Sequence, residues 1–495
     1  MLDKRPVYRE IFAHGPPGMI WIQAAIRAFF GWRSEVLHSA DVIIVALIVS
    51  ILVHTHWRRR DWNLAVWPAL LLFVFYFSTS EWCHCQPDTW MLLPALVCVE
   101  LHQWRRTSHG GGWLLAVAEG MLWATAILIK PFAVIPCIGL WLVSLVTYSK
   151  PQTFNWNRWL RDLAWCFLGG MTVTGLFVAW LIGSGNVLAF LDVALSNWNQ
   201  EYFATSENWL WRSAHLFTWF WPWSLVHVLA IPVACLTLMQ TIRRRTDDSW
   251  TASRRAFIAA LYLGWFFQAT YLQRQFPYQQ VPAVLLAITL LSEGPQLVSL
   301  PVYILGAVAL INHPLLNAAH LRLLPRCWQE GSSADLRDHL TLEKNLAAAS
   351  WKDLALVGDC LGTKSLRDRE LTCYAVSSIH LYGMLDLRPS TRFILLGAAI
   401  EMFKGHEEAF TRELLASPER FIVSDLECLD LLADESTAIV PGRPLPMTVY
   451  QHYGQSFPFV FPVVFRAGRY LVHEVPRRPP SHDSRARVIS DGPSQ

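Results

Sequence analysis

Long apolar runs separated by short polar breaks fill most of the chain. They fall at about residues 37–54, 63–80, 89–104, 113–129, 132–148, 163–184, 221–241, 256–271, 279–293 and 297–312. Each reads as a helix, and together they predict a polytopic helical membrane protein of about ten spans. Several fall short of the roughly 20 residues that a straight span needs. Short or proline-broken helices are tolerated where they pack inside protein or line a cavity. Past residue 312 the pattern changes. ADLRDHLTLEKNLAAA (334–349) spaces its apolar residues like an amphipathic helix, whereas DLALVGD (353–359), RFILLG (392–397) and RFIVSDL (420–426) read as short buried strands. A soluble α/β domain over about 313–476 is therefore expected, followed by a Pro-, Ser- and charge-rich tail, 477–495, of disordered composition.

Composition supports the membrane reading. Only 16% of residues are charged, against roughly 25% in soluble domains. Many of the 25 tryptophans stand at the edges of the apolar runs, where amphipathic rings settle at headgroup level. A net charge of +3 gives no reason to expect a nucleic-acid partner.

The loops orient the spans. Arg58–Arg60, Arg105–Arg106, Lys150 with Arg158 and Arg161, and Arg243–Arg245 with Arg254–Arg255 form one set. The alternate loops hold little basic charge: none in 81–88, then Lys130, Arg212 and Arg274 singly. The positive-inside rule places the first set in the cytoplasm and the alternate loops outside, with everything after residue 312. Residues 1–36 conflict with this. They should also lie outside as a loop with an amphipathic helix, yet carry Lys4, Arg5, Arg9, Arg27 and Arg33. An upstream span, missing from this chain, would remove the conflict. The alternative is a first span that inserts against its charge.

Four stretches in order, RPVYREIFAHGPPGMIW (5–21), QPDTWMLLPAL (86–96), ILIKPFAVIP (127–136) and QRQFPYQQVP (273–282), fall on that outer side. In this order the chain resembles the GT-C superfamily of membrane glycosyltransferases, which includes protein O-mannosyltransferase-like and aminoarabinose-transferase-like enzymes. The resemblance spans about residues 5 to 312. CYAVSSIHLYGMLDLRPSTRF (373–393) looks like the external domain appended in bacterial members. The resemblance implies transfer of a sugar from a polyprenyl-phosphate carrier to a glycan, lipid or protein acceptor on the outer face of the cytoplasmic membrane. It implies an inverting reaction without a cofactor, with a divalent cation left open.

Such chemistry needs a carboxylate to take the proton of the attacking hydroxyl and cations to meet the leaving phosphate. The family's acidic pair in the first external loop has no counterpart here, because that loop would precede Met1. Glu10, after Tyr8, falls where members have a second acid; it is a catalytic candidate or a solvated carboxylate paired with Arg9 or Arg5. Asp88 is a second catalytic candidate or a helix N-cap. Arg274 and Lys130 are the candidate phosphate ligands, although either could instead anchor or snorkel at the interface. Tyr8, His14, Gln86, Tyr278 and Gln279 are expected to line the substrate, with Gln273 nearby. Gly15 stands where members place a lysine before the proline. The loop SNWNQEYFATSENWLWR (196–212) would cover the acceptor or lie flat on the membrane, and Glu119 is an acid inside a span. Cys83-His84-Cys85 is too tightly spaced for a structural zinc site, and no metal is assigned. VGDCLGTKS (357–365) lacks phosphate-loop spacing and reads as a strand and turn. Two other readings stay open: an inactive remnant of the same family, and a transporter, for which the chain lacks internal symmetry.

Overall fold

A computed structural model describes residues 7–13, 15–55, 62–107, 112–147, 156–195, 198, 201, 210, 212, 214, 216, 221–244, 250–274, 276–293, 296–311, 322–331, 333–341, 348–427, 441–444 and 457–476. His14, the tail 477–495 and most of the loop 196–212 lie outside the described residues. The chain divides into two compact units, Met1–Pro325 and Arg326–Gln495.

The first unit is helical. It runs α1 (Gly18–Phe30), α2 (Ser34–Leu52), α3 (Trp62–Ser78), α4 (Pro87–Thr107), α5 (Gly112–Ile129), α6 (Val134–Thr147), α7 (Trp156–Gly183), α8 (Val187–Leu195), α9 (Val226–Arg244), α10 (Trp250–Phe267), α11 (Val281–Ser292) and α12 (Gln296–Ile311). Each apolar segment read from the sequence is one of these helices. Four stretches, Glu35–Leu52, Gly112–Ile129, Trp156–Gly183 and Trp223–Arg243, are long and apolar enough to cross a membrane. Helix α11 is buried along its whole length, as a helix apolar all round must be. Helix α7 is the opposite case. Phe167, Leu176 and Ile182 stand about two-thirds exposed on it, the apolar surface expected of a helix facing lipid. Pro68, Pro94, Pro232 and Pro301 all sit within helices, a usage that membrane helices tolerate.

Two contacts fix the packing. Helices α5 and α7 cross at glycines: a Cβ added to Gly120 would stand 1.8 Å from the Cys166 carbonyl, and one on Gly169 2.0 Å from the Val117 carbonyl. Close backbone approach of this kind is how small residues bring membrane helices together. At the far end of α4, the buried Arg254 guanidinium of α10 donates to Glu100, to Thr55, to Glu293 and to the Ile51 carbonyl. One side chain thereby ties together the ends of α2, α4 and α11. A buried charge survives only when its donors are satisfied in this way.

The second unit carries a four-stranded sheet in the order β1 (Leu371–Cys373), β2 (Phe421–Asp425), β4 (Tyr470–Glu474), β3 (Val463–Ala467). Strands β1 and β2 are parallel, with Thr372 opposite Ile422. Strand β4 runs antiparallel to both neighbours, with Val472 opposite Val423. RFIVSDL is thus a strand as expected, and two of the other strand expectations fail. DLALVGD lies in a helix, α13 (Trp351–Gly362), whose buried Leu354, Val357 and Leu361 follow a three-to-four spacing. The turn of VGDCLGTKS follows that helix rather than a strand. Five of seven residues in DLALVGD are apolar or glycine, and so short a run fits either period. Asp338 decides the matter, because its carboxylate accepts the free backbone N–H groups of Trp351 and Lys352 at the helix start. RFILLG is likewise no strand: Phe393 packs on Phe410 at 4.6 Å and Leu396 opens a short helix. In ADLRDHLTLEKNLAAA, Ala334–Leu340 is helical, with the Ser333 hydroxyl accepting from the Leu336 N–H at its cap; residues 342–347 lie outside the described residues.

Candidate functional site

Two breaks in helical structure build the site. The first lies at Lys130. Pro131 disfavours the helical region for the residue before it, so α5 ends at Ile129 and Lys130 is extended, with φ −155° and ψ 125°. The second lies between α10 and α11. A π-helical turn, Gln268–Leu272, continues α10, and Gln273 is extended before a 3-10 turn at Pro277–Gln280. π-Turns are rare and frequently mark functional positions.

These breaks converge on Asp88. Its carboxylate is fully buried in the first turn of α4, where the helix dipole favours an anion. Lys130 Nζ donates to both carboxylate oxygens, at 2.9 and 2.7 Å. The Gln273 side chain lies beside the same carboxylate. The ammonium also stands 5.6 Å from the centre of the Tyr278 ring, a cation–π distance. Tyr278 in turn stacks on Phe276 at 5.5 Å and meets Trp82 at 6.2 Å. Asp88 and Gln279 form a buried floor, while Arg274 and Tyr278 are only partly covered and the Lys130 side chain keeps 16% of its surface exposed.

The structure thus brings Asp88, Lys130, Gln273 and Tyr278 together. Asp88 is not the N-cap, since α4 begins one residue earlier at Pro87. Arg274 follows Gln273 directly, and its guanidinium donates to the Glu201 carbonyl at 3.2 Å. The Gln279 amide oxygen accepts from the Phe276 backbone N–H, and the Gln86 amide donates back to the Trp82 carbonyl. Tyr8 and Glu10 belong to a different cluster. Tyr8 is buried against Phe190 at 5.2 Å, with its hydroxyl donating to the Gly15 carbonyl. Its backbone is left-handed, φ 76°, which is costly for a tyrosine. The tight turn so formed, closed by the Tyr8 N–H on the Ile11 carbonyl, leaves Glu10 exposed. Among the described residues no hydrogen bond or ion pair joins Glu10 to Asp88 or Lys130.

Cys83, His84 and Cys85 take separate partners: the Ser80 hydroxyl, the Tyr76 ring and the His38 ring respectively. Glu119 enters a fully buried cluster with His102 and Arg105. Asp41, which sequence pattern alone does not single out, is buried on α2 and accepts from the Tyr76 hydroxyl and the Trp90 indole N–H, each at 2.6 Å. An acid in the middle of an apolar helix was the available signal.

No protein-family model matches the chain, and no curated protein sequence does. Solved structures do match. ArnT from Cupriavidus metallidurans in the apo state aligns with a TM-score of 0.51 and 12% identity, over 94% of this chain and 88% of that one. The same protein bound to undecaprenyl phosphate aligns with a TM-score of 0.50 over the same shares. The fold is GT-C-like. At 12% identity the likeness is one of backbone course, so the roles of Asp88, Lys130 and Arg274 within this GT-C-like fold rest on their own geometry.

Proposed function

We propose that the chain is a membrane glycosyltransferase that moves a sugar from a polyprenyl-phosphate donor to an acceptor hydroxyl at the outer face of the cytoplasmic membrane. The observation that carries this reading is the Asp88–Lys130 pair: a fully buried carboxylate gripping the ammonium of a lysine whose side chain keeps 16% of its surface exposed, beside an aromatic ring. In the proposed topology the ten apolar helices span the bilayer, and the second unit lies outside with the site.

The roles follow from charge and exposure. Lys130 and Arg274 meet the donor phosphate, whose charge grows as the sugar departs. Asp88 positions Lys130: two of the three ammonium protons are committed to it, and the third is left for an incoming oxygen. Tyr278 and Phe276 offer an apolar face to the carrier lipid. Glu10, exposed on its strained turn, takes the acceptor proton. The bond from acceptor oxygen to anomeric carbon forms as the bond from that carbon to the phosphate oxygen breaks. The proton passes to the Glu10 carboxylate, and polyprenyl phosphate leaves with the electron pair.

The test pairs binding with transfer in lipid nanodiscs. Lys130→Met and Arg274→Ala are each expected to weaken undecaprenyl phosphate binding by about 10- to 100-fold, the worth of a charge-assisted hydrogen bond. Glu10→Gln should leave binding intact and lower the transfer rate about 100-fold. Unchanged carrier binding in both cation variants would overturn the phosphate assignment. An unchanged rate in Glu10→Gln would remove that residue from the mechanism.

A further inference from the structure

The π-helical turn beside the ion pair holds polar groups that the phosphate chemistry does not use. Gln268 and Gln280 are 0% and 1% exposed. The Gln273 amide donates to the Gln268 side-chain oxygen, which leaves Gln268 Nε2 buried without a partner among the described residues. The Gln280 amide donates to the Thr270 hydroxyl at 3.1 Å, which leaves Gln280 Oε1 in the same condition. One unused donor and one unused acceptor therefore flank the turn Gln268–Leu272. Gln273 precedes Arg274 and donates to Gln268, and Gln280 shares the 3-10 turn of Tyr278, which lies 5.6 Å from Lys130 Nζ, so these amides adjoin the residues of the proposed phosphate site.

We infer that Gln268 and Gln280 read the hydroxyl groups of an uncharged sugar carried by the donor. This deepens the glycosyltransferase reading and rests on it. A hydroxyl supplies both a donor and an acceptor, the complement of what the two amides lack. Buried polar atoms without partners are rare, and each calls for an occupant. The class of sugar follows from charge. Asp88 and Lys130 already answer each other, and the amides are neutral. An ammonium or carboxylate on the sugar would stand beside these buried amides with no opposite charge to meet it, which is strongly unfavourable. The competing occupant is ordered water.

The test uses the full chain in nanodiscs and four probes: undecaprenyl phosphate alone, and the same carrier bearing glucose, glucosamine or glucuronate. Glucose is expected to raise affinity at least about tenfold over the bare carrier, and the two charged sugars are expected to add nothing. Gln268→Met and Gln280→Met should each remove most of the glucose gain while holding bare-carrier affinity within about twofold. Gln268→Glu should newly admit glucosamine, a gain that damaged folding cannot mimic. A glucose gain that survives both methionine variants means the amides hold water rather than sugar and overturns the inference, as do charged sugars that bind as well as glucose. Failure of the wild-type chain to bind the bare carrier sinks the underlying glycosyltransferase reading instead.

Discussion

His473 shows how one side chain sets a pH limit. It is buried on β4, with Nε2 2.7 Å from the Ser424 hydroxyl and Nδ1 3.2 Å from the Phe461 carbonyl. A carbonyl only accepts, so the neutral ring carries its proton on Nδ1 and receives the serine proton on Nε2. Burial pulls its pKa from 6.5 down to about 4. The unfolded chain therefore binds a proton that the folded chain refuses. The stabilisation is complete above about pH 6.5 and is lost as pH falls through about 4, to a limit of ~3 kcal/mol. Hydrogen exchange in β2 and β4, corrected for intrinsic rates, should show opening that grows easier across this window. In His473→Gln, which keeps a donor and an acceptor, the dependence should flatten; an unchanged slope would place it elsewhere. At this scale Lys130, Asp88, Tyr278 and Gln273 were legible in the sequence, because charge beside proline at the end of an apolar run is conspicuous. Their pairing was not, since 42 residues separate Asp88 from Lys130. Gln268 and Gln280 were invisible, because glutamine in an apolar stretch signals nothing until its neighbours are known.

The crossing of α5 and α7 carries the element-scale prediction. Gly120 and Gly169 let the two backbones touch, and the polar cluster depends on that contact. Glu119, next to Gly120, meets Arg105 of α4 at 3.2 Å, and Asp162 of α7 approaches the same guanidinium at 3.7 Å. Gly120→Leu forces the helices apart and strands these charges, whereas Gly175 on the same α7 has open space around it. The expected cost for Gly120→Leu exceeds about 3 kcal/mol, in the range of a broken buried charge network. Gly175→Leu should fall within about 0.5 kcal/mol of wild type. Thermal midpoints of the two variants in the same detergent check this; equal midpoints would mean the crossing is not decisive. Helix positions were readable because a long apolar run has few alternatives. The seven residues of DLALVGD were not, because so short a run leaves helix and strand equally open until Asp338 caps it from another segment.

At the scale of the whole first unit, the two polar knots sit at opposite ends of one helix. Asp88 is in the first turn of α4 and Arg105 near its last. Seventeen steps at 1.5 Å put them about 26 Å apart, close to the thickness of a bilayer core. The Asp88 end carries Lys130 and the Tyr278 ring; the other end carries the Arg254 clamp. Among the described residues Arg105, Arg243, Arg254 and Arg255 stand near helix ends on the clamp side, and in the proposed topology the positive-inside rule turns that end to the cytoplasm and the Asp88 end outward. Both ends are reachable by thiol labelling, since Glu10 and Arg243 are exposed. In a cysteine-free background, Glu10→Cys should react with an impermeant maleimide in right-side-out vesicles. Arg243→Cys should react only once the membrane is opened. On the second unit, Leu415→Cys, 60% exposed, should behave as Glu10→Cys does. Labelling of Arg243→Cys in sealed right-side-out vesicles, with Glu10→Cys protected, would turn the Asp88–Lys130 pair toward the cytoplasm, where the carrier-bound sugar proposed here could not reach an external acceptor.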